Sequence, residues 1–396
     1  MKKRVYLDHS ATTPVRPEVR ELMDKYFTER FGNPSSLHEF GQEARQGLNW
    51  AREVLAEAIG ANPTEIHFTS GGTEADNLAI LGMAYANQNR GRHLITSRIE
   101  HHAILDSCKY LESQGFRVTY LPVDENGQVY LNELDKAMDQ ETILISIMHG
   151  NNEIGTIQPI EEIGRRARER GIPLHTDAVQ SMGKVPLDVN QLGVSLLSAS
   201  AHKLYGPKGT GMLYVRDGIK INPRCFGGGQ EQKIRPGTEN VAGIVGFGRA
   251  IELALAEMPL VMGRVNELRD QLWTKIQARI PEVKLNGHPI RRVPGHLNLS
   301  FSGLQGQALL TALSMEGIAA SSGSACMASA TEPSHVLLAI GLDPHQVQGS
   351  IRLSLGRDNT ELDLEYVLDQ LSVLVDSLRG QGWSTRDTGC QCQTRG

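Results

Sequence analysis

Residues 195–211, SLLSASAHKLYGPKGTG, begin as an apolar strand, reach the pair His202-Lys203 and then dissolve into glycine and proline. Desolvation disfavours a charged lysine, so an amine placed where a buried strand stops has a lowered pKa and becomes a nucleophile. An exposed loop lysine is the ordinary alternative, so the reading turns on what else gathers at strand ends. Short apolar runs alternate with helical ones upstream: IHFTS before EADNLAILGMAYA, HLITS before HAILDSCKYLES, RVTYLPV before LNELDKAM, TILISIMH before IEEIGRRARER, then IPLHTDAV, SLLSAS and GMLYV. That alternation predicts an α/β fold, a mainly parallel mixed sheet with helices on both faces, whose ligands collect at the carboxyl ends of the strands.

Two further strand ends carry chemistry. Segment 66-IHFTSGGTEADN-77 runs from strand through Gly71, Gly72 and Thr73 into a helix, leaving free N–H groups and the helix dipole to face an anion. Thr73 as a plain helix cap is the competing reading. Segment 172-IPLHTDAVQSMG-183 sets Asp177 just after a strand and Gln180 three positions on. An acid there needs a partner, or serves as a cap. Neither the glycine segment 66–77 nor GPKGTG matches GxxxxGK, which removes a nucleotide loop. Lys203, the anion cradle and Asp177 together are what pyridoxal phosphate needs: an amine for its aldehyde, an anchor for its phosphate and a carboxylate for its ring nitrogen. At ~4 Å and an effective dielectric of ~20, such a carboxylate favours the protonated ring by about 4 kcal/mol, or about three pKa units.

Composition narrows the partners. The chain has 396 residues, 40% of them hydrophobic, and a formal charge of -5 with a pI near 6.2. It can bury a large core, and it has no basic excess for a nucleic acid. The start, MKKRVYLDHSATTP, is basic without an apolar run behind it, and no segment approaches the roughly 20 apolar residues of a membrane span. Small-molecule ligands and a cytoplasmic location follow as expectations. Cysteines at 108, 225, 326, 390 and 392 lack the paired spacing of a zinc site and suit a reducing compartment. Ile104, Cys108 and Leu111 share a helical face, so Cys108 is expected to be a buried, inert thiol. No resident metal is expected.

QEARQGLNWAREVLAEAIG (42–60) aligns Ala44, Leu48, Ala51, Leu55 and Ala58 on one face and stops at Gly60. A long helical pattern near 240–280 separates the first strand-helix series from a second, HLNLSFSG through SIRLSLG to DLEYVLDQLSVLVDSL. The expected division is a large α/β domain over 15–258, a smaller α+β domain made of 1–14 and 259–380, and a disordered tail over 381–396.

The motifs YLDHSATTP, FGNPSSLHEFG, FTSGGTEADNLAI, MHGNNEIG, HTDAVQSMGKVPLD, SASAHKLYGPKG, GGGQEQKIRPGTEN, SSGSACMASATEPSHV and SIRLSLGR stand in this order. In them the chain closely resembles the cysteine desulfurases, the NifS/IscS branch of the fold-type I pyridoxal-phosphate enzymes, over nearly its whole length. The resemblance implies that Lys203 holds the cofactor, Asp177 pairs with its ring nitrogen, and Asn152 and Gln180 bond its ring oxygen. Gly72, Thr73, Ser200 and His202 would hold the phosphate, with Thr238 reaching in from a second subunit of an obligate homodimer. His101 would stack on the ring and move protons, and Arg352, with Asn152, would bind the substrate carboxylate.

Cys326 sits in 319-AASSGSACMASAT-331, a run of small residues that reads as a loop. An arm of ~6 residues can span up to about 20 Å. The resemblance makes Cys326 the nucleophile that takes sulfur from L-cysteine, leaving L-alanine. It would then pass its persulfide to an iron-sulfur scaffold or another thiol acceptor, and it could ligate an iron-sulfur unit transiently. Met327 and Ala328 stand where many relatives have Thr-Ser. The CQC of the tail reads either as an accessory thiol pair or as a plain disordered end. An aminotransferase or selenocysteine lyase on the same fold, and a non-catalytic sulfur or metal carrier using Cys326 and the tail, are the rival readings.

Overall fold

The computed structural model describes residues 3–322 and 333–380. Cys326, Cys390, Cys392 and the expected tail lie outside the described residues. After β1 (Val5–Tyr6), the chain forms α1 (Pro17–Thr28) and α2 (Glu39–Glu57). The main sheet then comprises β2 (Ile66–Thr69), β3 (His93–Ser97), β4 (Arg117–Leu121), β5 (Thr142–Ser146), β6 (Leu174–Asp177), β7 (Leu196–Ser200) and β8 (Gly211–Val215). Helices α3 (Gly72–Asn87), α4 (His102–Ser113), α5 (Leu131–Ala137), α6 (Ile160–Glu169) and α7 (Val189–Leu192) connect them.

The seven strands lie in the order β2-β8-β7-β6-β5-β3-β4. Strand β8 runs antiparallel to β2 and β7, and the other neighbours are parallel. This is the expected mixed, mainly parallel sheet, and the carboxyl ends of β2, β3, β5, β6 and β7 all point to one edge. Strands β3, β5, β6, β7 and β8 are buried along their length, which is why they read as continuous apolar runs. Side-chain alternation divides each strand between the two faces. Ile95, Ile145 and Leu197 enter one core with Leu55 and Ile163, whereas Leu94, Leu144 and Leu196 enter another with Ile80, Ile104 and Cys108. Cys108 is thus buried as expected, and burial pushes its thiol up to about 12.

The expected helix near 42–60 starts earlier, at Glu39, because the His38 ring accepts a hydrogen bond from the Gly41 N–H. Its end matches, with Gly60 left-handed at φ 67°. Helix α8 (Val241–Arg279) is one continuous helix of 39 residues with Pro259 inside it. Its first half packs Ile244, Phe247 and Ile251 into the main core, and its second half packs Val265, Leu268, Leu272 and Ile276 into a separate core. That second core is built on β9 (Val283–Leu285), β10 (His296–Phe301), α9 (Gly306–Met315), β11 (Ile318–Ala319), β12 (Ser350–Ser354) and α12 (Glu361–Gly380), whereas α10 (His335–Ala339) and α11 (Pro344–Gln348) send Val336, Leu337 and Val347 back into the main core. Strands β12, β10 and β9 pair antiparallel, and β11 pairs parallel with β1. Among the described residues no helix is long and apolar enough to cross a membrane.

Between β8 and α8, Glu231, Gln232 and Lys233 all adopt left-handed backbone, with φ of 43°, 55° and 68°. Non-glycine residues resist this conformation, at about 1–3 kcal/mol each, so something must hold them. The buried Glu231 carboxylate meets the Arg52 guanidinium at 2.5 and 3.0 Å and accepts the Phe68 N–H at 2.8 Å. Removing one partner of such a pair leaves a buried charge and typically costs about 3–5 kcal/mol. Glu231→Ala is therefore expected to lower stability by about 3 kcal/mol, read as a shift in urea midpoint at unchanged m value.

Candidate active site

At the carboxyl edge of the main sheet lies a cavity of about 1100 Å³, open to solvent. Gly72, Thr73, His101, Asn152, Asp177, Gln180, Ser200, His202, Lys203 and Arg352 all line it, although they come from residues far apart in sequence. Thr238 does not; it is exposed on the loop that follows Lys233. Cys326 lies outside the described residues.

Several positions follow from a strand end. Asp177 and Ser200 are the last residues of β6 and β7, and Lys203 closes a short 3-10 turn directly after β7. The Lys203 Nζ donates to the carbonyls of Ser10 and Ala11, both at 2.7 Å. Gly71 caps α3, so Thr73 stands within its first turn and is not the cap. Asp177 accepts the Val179 N–H at 2.8 Å. The Gln180 amide nitrogen donates to Ser10 O at 2.9 Å, and its buried Oε1 has no hydrogen-bond partner among the described residues. His202 Nδ1 lies 3.1 Å from Thr12 Oγ1. His101 caps α4, its Nδ1 accepting the Ala103 N–H at 3.1 Å. Arg352 is buried on β12 and donates to Asn152 O and to Asp8 Oδ1, each at 2.7 Å.

These residues fit pyridoxal phosphate on their own geometry. A Cβ at Gly72 would stand 2.6 Å from Val179 Cγ2, so the start of α3 packs against Val179 as closely as only glycine allows, beside N–H groups that suit an anion. Thr73, Ser200 and His202 line the same cavity, as do the Asp177 carboxylate and the Gln180 amide. The class-V aminotransferase family model matches residues 5–367. A protein named cysteine desulfurase IscS from Dictyoglomus turgidum is 53% identical over 379 residues, covering 96% of each chain. One of the same name from Methanosarcina thermophila is 54% identical over 377 residues, covering 95% of this chain and 93% of that one. The solved structure of a NifS-like protein aligns with a TM-score of 0.90 at 40% identity, over 95% of this chain and 100% of the other.

The chain belongs to the cysteine desulfurases of the class-V aminotransferase family. The enzyme therefore depends on pyridoxal phosphate, and its fold is that of the fold-type I enzymes.

Several residues of this desulfurase site escape a reading by strand ends. Asp8, Ser10 and Thr12 arrive from the N-terminal segment YLDHSATTP, which crosses the site and touches Arg352, Lys203 and His202 in turn. Asp8 follows β1 by two residues, but a strand of two residues shows no period from which its end could be read. Asp76 and Glu100 join Asp177 on the cavity wall, both buried. Burial pushes Asp177 up to about 6, with the Val179 N–H and Lys203 pulling the other way. Burial also lifts Glu100 to about 8, opposed by the Ser97 hydroxyl and the Met148 N–H. Asp76 is raised by its burial and then by the charge of Asp177. Beside them His175, bonded to Ser146 and Ser198 at 2.9 Å each, is lowered by burial to about 3. His101 falls to about 4 through burial and then through the nearby Lys203 charge, so it is neutral near pH 7.

The pH dependence of the cofactor-free protein follows by sign. His67, His101, His149 and His202 sit at about 4 and His175 at about 3, against 6.5 when unfolded. A depressed histidine contributes stability that is complete above 6.5 and is lost as pH falls towards the folded value. Glu100 and Asp177, being raised, contribute in the opposite sense between about 4 and their folded values. The histidines outnumber them, so stability is expected to fall steadily from pH 6.5 to 4.5 in urea titrations; a flat or rising profile would contradict the buried neutral histidines. Gly72→Ala is expected to weaken pyridoxal phosphate binding about tenfold, the equivalent of roughly 1.4 kcal/mol of overpacking, measured by equilibrium dialysis.

Proposed function

We propose that this enzyme converts L-cysteine to L-alanine and passes the sulfur to an acceptor through a persulfide on Cys326. The observation that carries the reading is the single cavity shared by the Lys203 amine, the Asp177 carboxylate and the glycine-lined start of α3. Lys203 would hold the aldehyde, while Gly72, Thr73, Ser200 and His202 hold the phosphate. Asp177 would hold the ring nitrogen, Asn152 and Gln180 the ring oxygen, and His101 would lie against the ring. Pyridoxal phosphate, when bound, supplies the electron sink that stabilises charge on the substrate α-carbon.

The chain's residues do the rest. Arg352 receives the substrate carboxylate, which fixes the α-carbon near Lys203. The Lys203 amine takes the α-proton once it is free of its covalent bond, and the Ser10 and Ala11 carbonyls hold the resulting ammonium in place. Neutral His101 is suited to carry a proton at the same site. The Cys326 thiolate attacks the substrate sulfur, an S–S bond forms as the C–S bond breaks, and the carbon is protonated to give alanine. The acceptor is an iron-sulfur scaffold or another thiol carrier.

The exposed Phe27, Phe31, Phe40 and Phe226 support a homodimer in which Thr238 completes the partner's phosphate site. The absence of a membrane-crossing helix among the described residues agrees with a cytoplasmic enzyme. The two cores joined by α8 support a large unit over 15–258 and a small one made of 1–14 and 259–380.

Cys326→Ser is expected to stay yellow and to bind cysteine while alanine formation drops by at least 10³-fold, on the scale of losing a catalytic nucleophile. Normal turnover in that variant rejects the nucleophile. Lys203→Ala is expected to bind cofactor without a borohydride-reducible link. Light scattering is expected to return twice the 43.4 kDa chain mass.

A further inference from the structure

Asp8 has no part in the chemistry above, yet it occupies the group that receives the substrate. Its Oδ1 accepts from Arg352 Nη2 at 2.7 Å, where the arginine side chain is 2% exposed and the aspartate 19%. The guanidinium also donates through Nη1 to Asn152 O. The Asp8 backbone cannot follow a moving side chain. Asp8 bridges to Ser354 beside β12, the His9 N–H donates to Ser354 O at 3.2 Å, and the Ser10 N–H donates to Ser354 Oγ at 2.9 Å. Tyr6 Oη donates to the Asp8 carbonyl at 3.1 Å.

A carboxylate fixed on the cation that must bind a second carboxylate has two opposed effects. It orients the planar guanidinium, which helps binding. It also spends part of the arginine's charge and repels the newcomer, which hinders binding. Cysteine and alanine share the same carboxylate, so a clamp of full strength would retain product about as firmly as substrate.

We propose that Asp8 is a positioning residue for the carboxylate site: it aims Arg352 while its charge weakens the hold on substrate and product alike, so that alanine leaves. This inference rests on Arg352 being the carboxylate clamp. Two variants separate the two effects. Asp8→Asn keeps an oxygen acceptor for Arg352 and removes the charge. Asp8→Ala removes both.

With the holoenzyme, calorimetric binding of L-alanine is expected to tighten about tenfold in Asp8→Asn, equivalent to about 1.4 kcal/mol, and the KM for L-cysteine to fall in step. In Asp8→Ala both are expected to weaken about tenfold. A side chain that serves only the fold would weaken binding in both variants, so weaker or unchanged alanine binding in Asp8→Asn overturns the inference. Asp8→Ser replaces Asp8→Ala where the latter fails to fold. Arg352→Lys tells the two levels apart. If it leaves alanine binding unchanged, the clamp and this inference fall together. If it weakens binding while Asp8→Asn also weakens it, only the role of Asp8 falls.

Discussion

A lysine ammonium at the end of a buried strand must find acceptors, and Lys203 finds them in the carbonyls of Ser10 and Ala11. Those carbonyls do not belong to the main sheet. They come from a segment that starts in β1, whose partner β11 lies beside the second core, and that then crosses to the turn after β7. The same segment supplies the Asp8 carboxylate to Arg352 and the Thr12 hydroxyl to His202, and Thr13 closes the crossing by bonding the His202 carbonyl at 2.9 Å. One stretch of backbone thus fixes the Lys203 amine, the His202 turn and the arginine of β12 relative to one another.

The wall of the site answers a second constraint. Three carboxyls, Asp76, Glu100 and Asp177, face one cavity, and three negative charges cannot share a low-dielectric wall. Burial raises Glu100 to about 8 against the pull of the Ser97 hydroxyl and the Met148 N–H, and Asp76 is raised by its burial and by the charge of Asp177. Asp177 is the one with the mildest shift among them, and it alone of the three is contacted by the charge of Lys203. The arrangement leaves it as the carboxylate available to a cationic ring.

Much of this was legible from residue order because strands buried on both faces are continuous apolar runs, and their ends are marked by the first polar residue. Lys203 and Asp177 are read in that way and Cys108 by its helical period, whereas Ser200 comes only from the family resemblance. Asp8 is not legible in this way, because β1 has two residues and no period to read. Asp76 was hidden within α3, where Ala75, Asp76, Leu78, Ala79 and Ile80 are all buried and no polar face marks an exception. Glu100 and His175 depend on partners such as Met148 and Ser198, which only tertiary pairing brings close. The start of α2 was misread because histidine is an uncommon cap, and α7 is a four-residue helix too short to show a pattern. Thr73 illustrates the converse: a residue type that favours caps sits two positions beyond the real one.

Helix α8 is a rod of 39 residues, about 58 Å long at 1.5 Å per residue, and it contributes one half to each of two cores. Neither core can lose that helix without stripping apolar cover from the other. The backbone hydrogen-bond ladder therefore acts as a mechanical shaft through which a disturbance in one core reaches the next, interrupted only at Pro259, where a donor is missing. Melting either half would expose apolar side chains of the core that it serves, so the helix ties the cohesion of the main core to that of the core on β10 and β12.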